Sequence, residues 1–302
     1  PVLRPPPPAA RAGDEREPTM STWIDPPDAQ GRVPAPLLRV DDRYVALVTG
    51  AARGLGAAVC SRFVQRGLQV IAVDHCVGDE SDSGYAHAAP ADLERLSERL
   101  GDSIRPVMLD VRDAPALEQA LVQRLRPQEH LVTVVAAAAT IEGGAYLWES
   151  DPAVLDRLWQ SNVCTVWSTA TATVPQLLRT AHAGIPASFV AVASLAGHTG
   201  LYHLSAYCAV KHAVVGLIRG LAADLVNQGV YVSAVSPDAM ATAMLDATAS
   251  LYGLDSVDAL VADMECRAPL SPDDVAAMVE FACANGPTVH GTAIRATGGL
   301  GM

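Results

Sequence analysis

Lysine is nearly missing from this chain of 302 residues: Lys211 is the only one, against twenty arginines. Aromatic residues are also scarce, at 5%, although half of the sequence is apolar, so small aliphatic side chains must fill the interior. Basic residues (21) are outnumbered by acidic ones (33), for a formal charge of −12. That balance excludes non-specific binding to nucleic acid or to an anionic membrane surface. Cys60, Cys76, Cys164, Cys208, Cys266 and Cys283 are scattered and form no CxxC pair, so neither a disulfide framework nor a zinc cluster is expected. The eight histidines lack metal-ligand spacing, and no metal site is expected. Long apolar runs are absent too. The uncharged stretch from Thr180 to Val210 is interrupted by Gly184, Pro186, Gly197 and Gly200, unlike the ~20 apolar residues of a bilayer span. With no apolar secretory leader apparent, the expected location is the cytoplasm.

Proline, by contrast, is concentrated: ten of 21 fall within the first 36 residues, including the run Pro5 to Pro8. Residues 1–42 therefore read as a proline-rich, disordered tail. From Tyr44 the texture changes. Apolar runs at Tyr44–Thr49, Leu68–Asp74, Ile104–Asp110, Leu131–Ala138, Ala187–Ser194, Val230–Ser236 and Val289–Ile294 alternate with helical patterns. Such alternation predicts one α/β domain over 43–302, a doubly wound Rossmann-type fold with a seven-stranded parallel sheet. Helix starts are marked by Asp113, by Asp151-Pro152 and by Ser271-Pro272. Residues 75–103 exceed a minimal strand connection, and read as an inserted loop followed by a helix from Pro90 to Leu100.

After the first strand comes Thr49-Gly50-Ala51-Ala52-Arg53-Gly54-Leu55-Gly56, where glycines would let the backbone approach a pyrophosphate at a helix N-terminus. Asp74 ends the second strand, placed to accept from ribose hydroxyls and to repel a 2′-phosphate, which favours NAD over NADP. Arg53 is the opposing sign, a cation near the same turn. Asp110 and Val111 would line the adenine edge.

Lys211 stands four residues after Tyr207, on the same face of a helix. A compact ammonium kept against so strong a preference for arginine points to a task a guanidinium does not perform. Beside a phenol it would favour the phenolate and bring a group that titrates near ~10 towards use at neutral pH. Ser194 lies thirteen residues before Tyr207, and Asn162 inside the long helix from Asp151.

Together, TGxxxGxG, Asn162, Ser194 and YxxxK resemble the short-chain dehydrogenase/reductase family over about 43–302. The resemblance implies Tyr207 as general acid/base and Lys211 as its pKa partner and holder of the nicotinamide ribose. It implies Ser194 as ligand of the reacting oxygen and Asn162 as anchor of a water relay. Pro237 and Thr242 match the family's loop after the sixth strand, whereas Asp238 replaces its glycine. Ala136-Ala137-Ala138-Ala139 replaces the family's Asn-Asn-Ala-Gly. With the insertion after Asp74, these departures look like the mycofactocin-coupled subgroup of actinobacteria. That likeness implies a retained nicotinamide, electrons passed to the mycofactocin carrier, and a loop His75–Ala89 acting as a lid.

Residues 239–268 read as a substrate-loop segment. Tyr146, Trp148, His198, Tyr202 and Met244 are the expected substrate-binding residues, suited to a small apolar alcohol or ketone. The helices 151–179 and 204–228 match family dimer and tetramer faces, so a homo-oligomer is expected. Two other readings remain open on sequence alone. One is an ordinary exchanging reductase of 3-oxoacyl or steroid ketones, and the other a catalytically idle dinucleotide-binding sensor or scaffold.

Overall fold

The computed structural model describes residues 43–78, 85–262 and 268–298. The tail expected over 1–42 and the middle of the inserted loop lie outside the described residues. Strands β1 (Tyr44–Thr49), β2 (Gln69–Asp74), β3 (Ile104–Met108), β4 (His130–Ala136), β5 (Ala187–Val192), β6 (Val230–Pro237) and β7 (Ala293–Ala296) form one sheet. Their order is β3-β2-β1-β4-β5-β6-β7, and every pairing is parallel. The order reverses between β1 and β4, which opens a crevice at the carboxyl ends of the strands.

Continuous apolar strands are needed because both faces are covered. Val45 and Leu47 face one core, shared with α3 (Ala114–Arg124), α5 (Thr165–His182) and α6 (Ser205–Asp224). Ala46 and Val48 face the other, shared with α1 (Gly54–Gln65), α2 (Pro90–Leu100) and α9 (Pro272–Ala284). Glu280 of α9, nearly buried, accepts from Arg62 Nε at 2.8 Å and Arg66 Nε at 2.6 Å, tying α9 to α1. Asp113 accepts from Ala116 N, Asp151 from Ala153 N, and Ser271 exchanges bonds with Asp274, so all three expected caps form.

Several boundaries differ from the sequence reading. β3, β4 and β5 stop two residues early: β3 ends level with β2 and β4 level with β1, whereas β5 ends at Val192 although β6 runs on to Pro237 beside β7. Asp110, Ala138 and Ser194 thus stand in loops at the crevice. β7 begins at Ala293, since Gly286–Val289 forms a short helix, α10. The helix expected from Asp151 is not continuous. α4 (Pro152–Leu158) passes through a π-helical turn, Trp159–Cys164, before α5 begins. Beyond β6 come α7 (Ala243–Leu251) and α8 (Val257–Ala262). Among the described residues α6 alone is long and apolar enough to cross a membrane, yet its Val210, Val214 and Ile218 are buried in the core.

Candidate active site

The turn after β1 is shaped by two close approaches. Gly50 sits at φ +64°, and a Cβ there would come within 2.9 Å of the Ala138 backbone. A Cβ on Gly56 would lie 2.0 Å from the Gly50 carbonyl oxygen, a distance no side chain tolerates. Glycine is therefore required at both positions. Leu55 is buried and anchors the first turn of α1. No side chain caps this helix, so its first N–H groups are left facing the cleft beside Gly54.

Three side chains organise the neighbouring backbone. Thr49 Oγ1 accepts from Ala137 N (3.1 Å) and Ala138 N (3.3 Å), which steadies the alanine run that lacks side-chain amides of its own. Asp74 accepts from Ala52 N through Oδ2 (3.0 Å) and from Cys76 N through Oδ1 (3.1 Å). Arg53 lines the cleft beside this turn. Its Nη2 donates to Ala86 O at 2.6 Å, holding the near end of the inserted loop. Asp110 is gripped by Arg112 Nε, at 3.0 and 2.9 Å from its two oxygens. Burial pushes that carboxyl up, but the Arg112 bonds outweigh it and leave it below the usual range. Val111 is buried beside it.

At the other end of the cleft stand the phenol and the amine. Tyr207 and Lys211 are both buried on α6, with Nζ 5.6 Å from the centre of the Tyr207 ring. Nζ donates to Val192 O at 3.4 Å. Ser194 leads into the 3-10 turn Leu195–Gly197, where its Oγ accepts from Ala196 N at 3.2 Å, and it lies close enough to the Tyr207 hydroxyl to pull that group's pKa down. Burial dominates both ionisations: it raises the phenol well above its ordinary value, against a downward pull from Ser194, and lowers the ammonium to about 7. In the chain alone, Lys211 is not among the causes that shift the phenol. Desolvation outweighs a neighbour that is itself losing its charge.

Asn162 lies within the π-helical turn, a geometry that often marks functional positions. Its Nδ2 donates to Thr140 O (3.1 Å) and Leu158 O (3.0 Å), while its Oδ1 is buried without a hydrogen-bond partner among the described residues. The structure gives no direct Asn162–Lys211 bond. An acceptor left open in this way suits a bound water.

Except for Asn162 and Thr49, these groups line one cleft of roughly 1790 Å³, with Pro237 and Thr242 also in its lining. Asp238 causes no strain in place of glycine, because it is not among the residues with positive φ, and its Oδ1 accepts from Ala239 N at 2.8 Å. Tyr202 and Met244 line the cleft as expected, joined by Leu201, Thr248 and Tyr252. Three expected substrate residues do not. Trp148 is 78% exposed and stacks on Tyr146, itself 40% exposed and in contact with the outer edge of Tyr202. These two belong to the turn around Leu147–Glu149, which projects from the body. His198 is turned towards β6, where Nε2 pairs with Ser236 Oγ at 2.8 Å.

Sequence reasoning passes over five contributors. Thr49 was read only as part of the glycine motif. Gly197 lets the Ser194 turn press on α6, since a Cβ would meet Lys211 O at 2.8 Å. Thr140 and Ser161 pair their hydroxyls at 2.6 Å beneath Asn162, and Tyr85 enters the cleft from the insertion. Only Gly197 carried a sequence signal, its place three residues after Ser194.

A glycine turn that admits no Cβ, an open helix N-terminus and a carboxylate at the end of β2 share this cleft with the phenol–amine pair, and they fit a nicotinamide dinucleotide. The family model described as short chain dehydrogenase matches residues 44–251. A (-)-trans-carveol dehydrogenase of Rhodococcus erythropolis is 35% identical over 208 residues, covering 67% of this chain and 72% of the relative. The structure of carveol dehydrogenase from Mycobacterium avium in complex with NAD superposes with a TM-score of 0.77 at 27% identity. It covers 86% of this chain and 98% of its own. A short chain dehydrogenase from Mycobacterium paratuberculosis bound to NAD gives a TM-score of 0.73 at 27% identity, covering 84% and 96%.

Proposed function

This chain belongs to the short-chain dehydrogenase/reductase family, and from that premise we propose that it is an NAD(H)-dependent oxidoreductase interconverting an apolar alcohol and its ketone or aldehyde. The observation that carries the reading is the Ser194–Tyr207–Lys211 group, its phenol and amine buried, in the same cleft that the glycine turn lines. When bound, NAD supplies the hydride-accepting ring. The chain's own residues do the rest. Gly50, Gly54 and Gly56 with the first N–H groups of α1 would seat the pyrophosphate, Asp74 the adenosine ribose, and Asp110 and Val111 the adenine edge. Thr242 and Pro237 would border the nicotinamide.

Ser194 would donate to the reacting oxygen, and Tyr207 would take its proton during alcohol oxidation or return it during reduction. Lys211, kept dry by α6 and β5, would hold the nicotinamide ribose. Charging of Lys211 would ease loss of the phenol proton, since a cation favours the phenolate. Asn162, with Oδ1 open, would hold the water that links Lys211 to solvent. The lining of Leu201, Met244 and Tyr252 favours an apolar substrate without phosphate or carboxylate. Relatives named for carveol oxidation support that class.

The finer proposal is that the nicotinamide is retained and its electrons pass to mycofactocin. Its support is the inserted loop: Arg53 fastens it at Ala86 O, and its Gly78 N–H donates to Ala88 O at 2.9 Å. Leu155, Trp159 and Trp167 lie 43–63% exposed on the outer side of α4, the π-helical turn and α5, which supports a homo-oligomer burying that face. The test is Tyr207→Phe in protein isolated with its cofactor. Reduction of bound NAD⁺ by a panel of cyclic alcohols falls at least a hundredfold in this variant, on the usual scale of acid–base catalysis. Undiminished reduction rejects the assignment. Native mass spectrometry of the same preparation reads retention directly, because a carried-through dinucleotide adds its mass to each subunit.

A further inference from the structure

Tyr85 is explained by neither the glycine turn nor the catalytic pattern. It stands in the inserted segment after β2, and the backbone around it is fastened. Gly78 N–H donates to Ala88 O, His87 N–H to Gly78 O at 3.0 Å, and Arg53 holds Ala86 O. Its ring lies 5.0 Å from that of His87. Although β1 separates β2 from β4 in the sheet, Tyr85 lines the same cleft as Ile141, beyond β4. Its ring packs on the core cluster that contains Tyr207, where Leu201, Met244 and Tyr252 also pack, and all five line the cleft. It is near enough to add to the upward push on the Tyr207 phenol.

We propose that Tyr85 is a specificity-determining residue, whose ring closes the apolar pocket at Tyr207 and limits it to compact cyclic alcohols. The inference rests on the alcohol–ketone reading. An insertion placed only to cover the cofactor has no need of a large ring at the reacting end. The rings of Tyr85 and Tyr252, brought from distant segments, instead bound the space left for substrate. Fixed aromatic walls discriminate by size, since extra bulk must displace packed atoms rather than solvent.

The experiment compares cyclohexanol with 4-tert-butylcyclohexanol in wild type, Tyr85→Ala and Tyr85→Phe, each loaded with NAD⁺. Tyr85→Ala raises kcat/KM for the bulky alcohol relative to cyclohexanol at least about tenfold. Tyr85→Phe keeps the ring and stays within about threefold of the wild-type ratio. The ratio cancels any general loss from impaired folding. Calorimetric binding of the two corresponding ketones to NADH-loaded protein gives the same comparison without turnover. An unchanged binding ratio in Tyr85→Ala overturns the role given to Tyr85. A shifted binding ratio with no alcohol oxidised by wild type upholds it and refutes the reaction reading instead.

Discussion

Replacing Lys211 by methionine should leave the protein inactive yet remove a pH dependence from its stability. Lys211 is 2% exposed, and its hydrogen bond among the described residues is the long one to Val192 O. Burial lowers its folded pKa to about 7, whereas an unfolded lysine titrates near ~10.4. Between those values the unfolded chain binds a proton that the folded chain has released, so stability rises with pH. Integrating that difference gives an increase of about 2 kcal/mol from pH 7 to pH 9 from this one group. Tyr207 works in the opposite direction, but only where unfolded tyrosine ionises, near ~10 and above. The assay is urea unfolding of cofactor-free protein, followed by tryptophan fluorescence at pH 7 and pH 9. Wild type should gain the stated amount relative to Lys211→Met, and the variant should be the more stable of the two at pH 7. Equal pH responses would show that the amine keeps its charge inside the fold, and the argument from desolvation would be wrong.

Further outcomes follow from the cofactor end. Gly56→Ala forces a Cβ to within 2.0 Å of Gly50 O, and the displaced turn should weaken NAD binding more than tenfold, read by quenching of protein fluorescence. Asp74→Ala frees Ala52 N and Cys76 N and removes the repulsion of a 2′-phosphate. The ratio of kcat/KM for NAD⁺ over NADP⁺ should fall at least about tenfold, and a ratio that does not move would detach Asp74 from cofactor choice. Thr49→Val leaves the N–H groups of Ala137 and Ala138 without their acceptor. Chemical denaturation should register a loss of about 1 kcal/mol, since these part-buried donors lose their acceptor at the edge of the cleft.

What sequence determined about this protein follows from short-range rules. Seven apolar runs too continuous for a half-exposed sheet required covered faces, and so a parallel α/β layer. Caps at Asp113, Asp151 and Ser271 form because a side-chain oxygen satisfies N–H groups two or three residues away. The spacing of Tyr207 and Lys211 is one helical turn, so their common face could be read without a fold. Gly50 and Gly56 were legible because backbone contact at a βα turn penalises any Cβ. Where reasoning failed, the partner lay far along the chain. Trp148 and Tyr146 are aromatic and close to β4 in sequence, but their turn projects outward, and only packing could show it. His198 has the right chemistry and faces Ser236, 38 residues away. The π-helical turn at Asn162 and the grip of Arg53 on Ala86 arise from contacts that local preference does not encode. Ionisation belongs to the same class. Sequence placed an amine beside a phenol, but the depth of burial, which lowers one pKa and raises the other, is a property of the assembled core, because desolvation depends on every segment that excludes water.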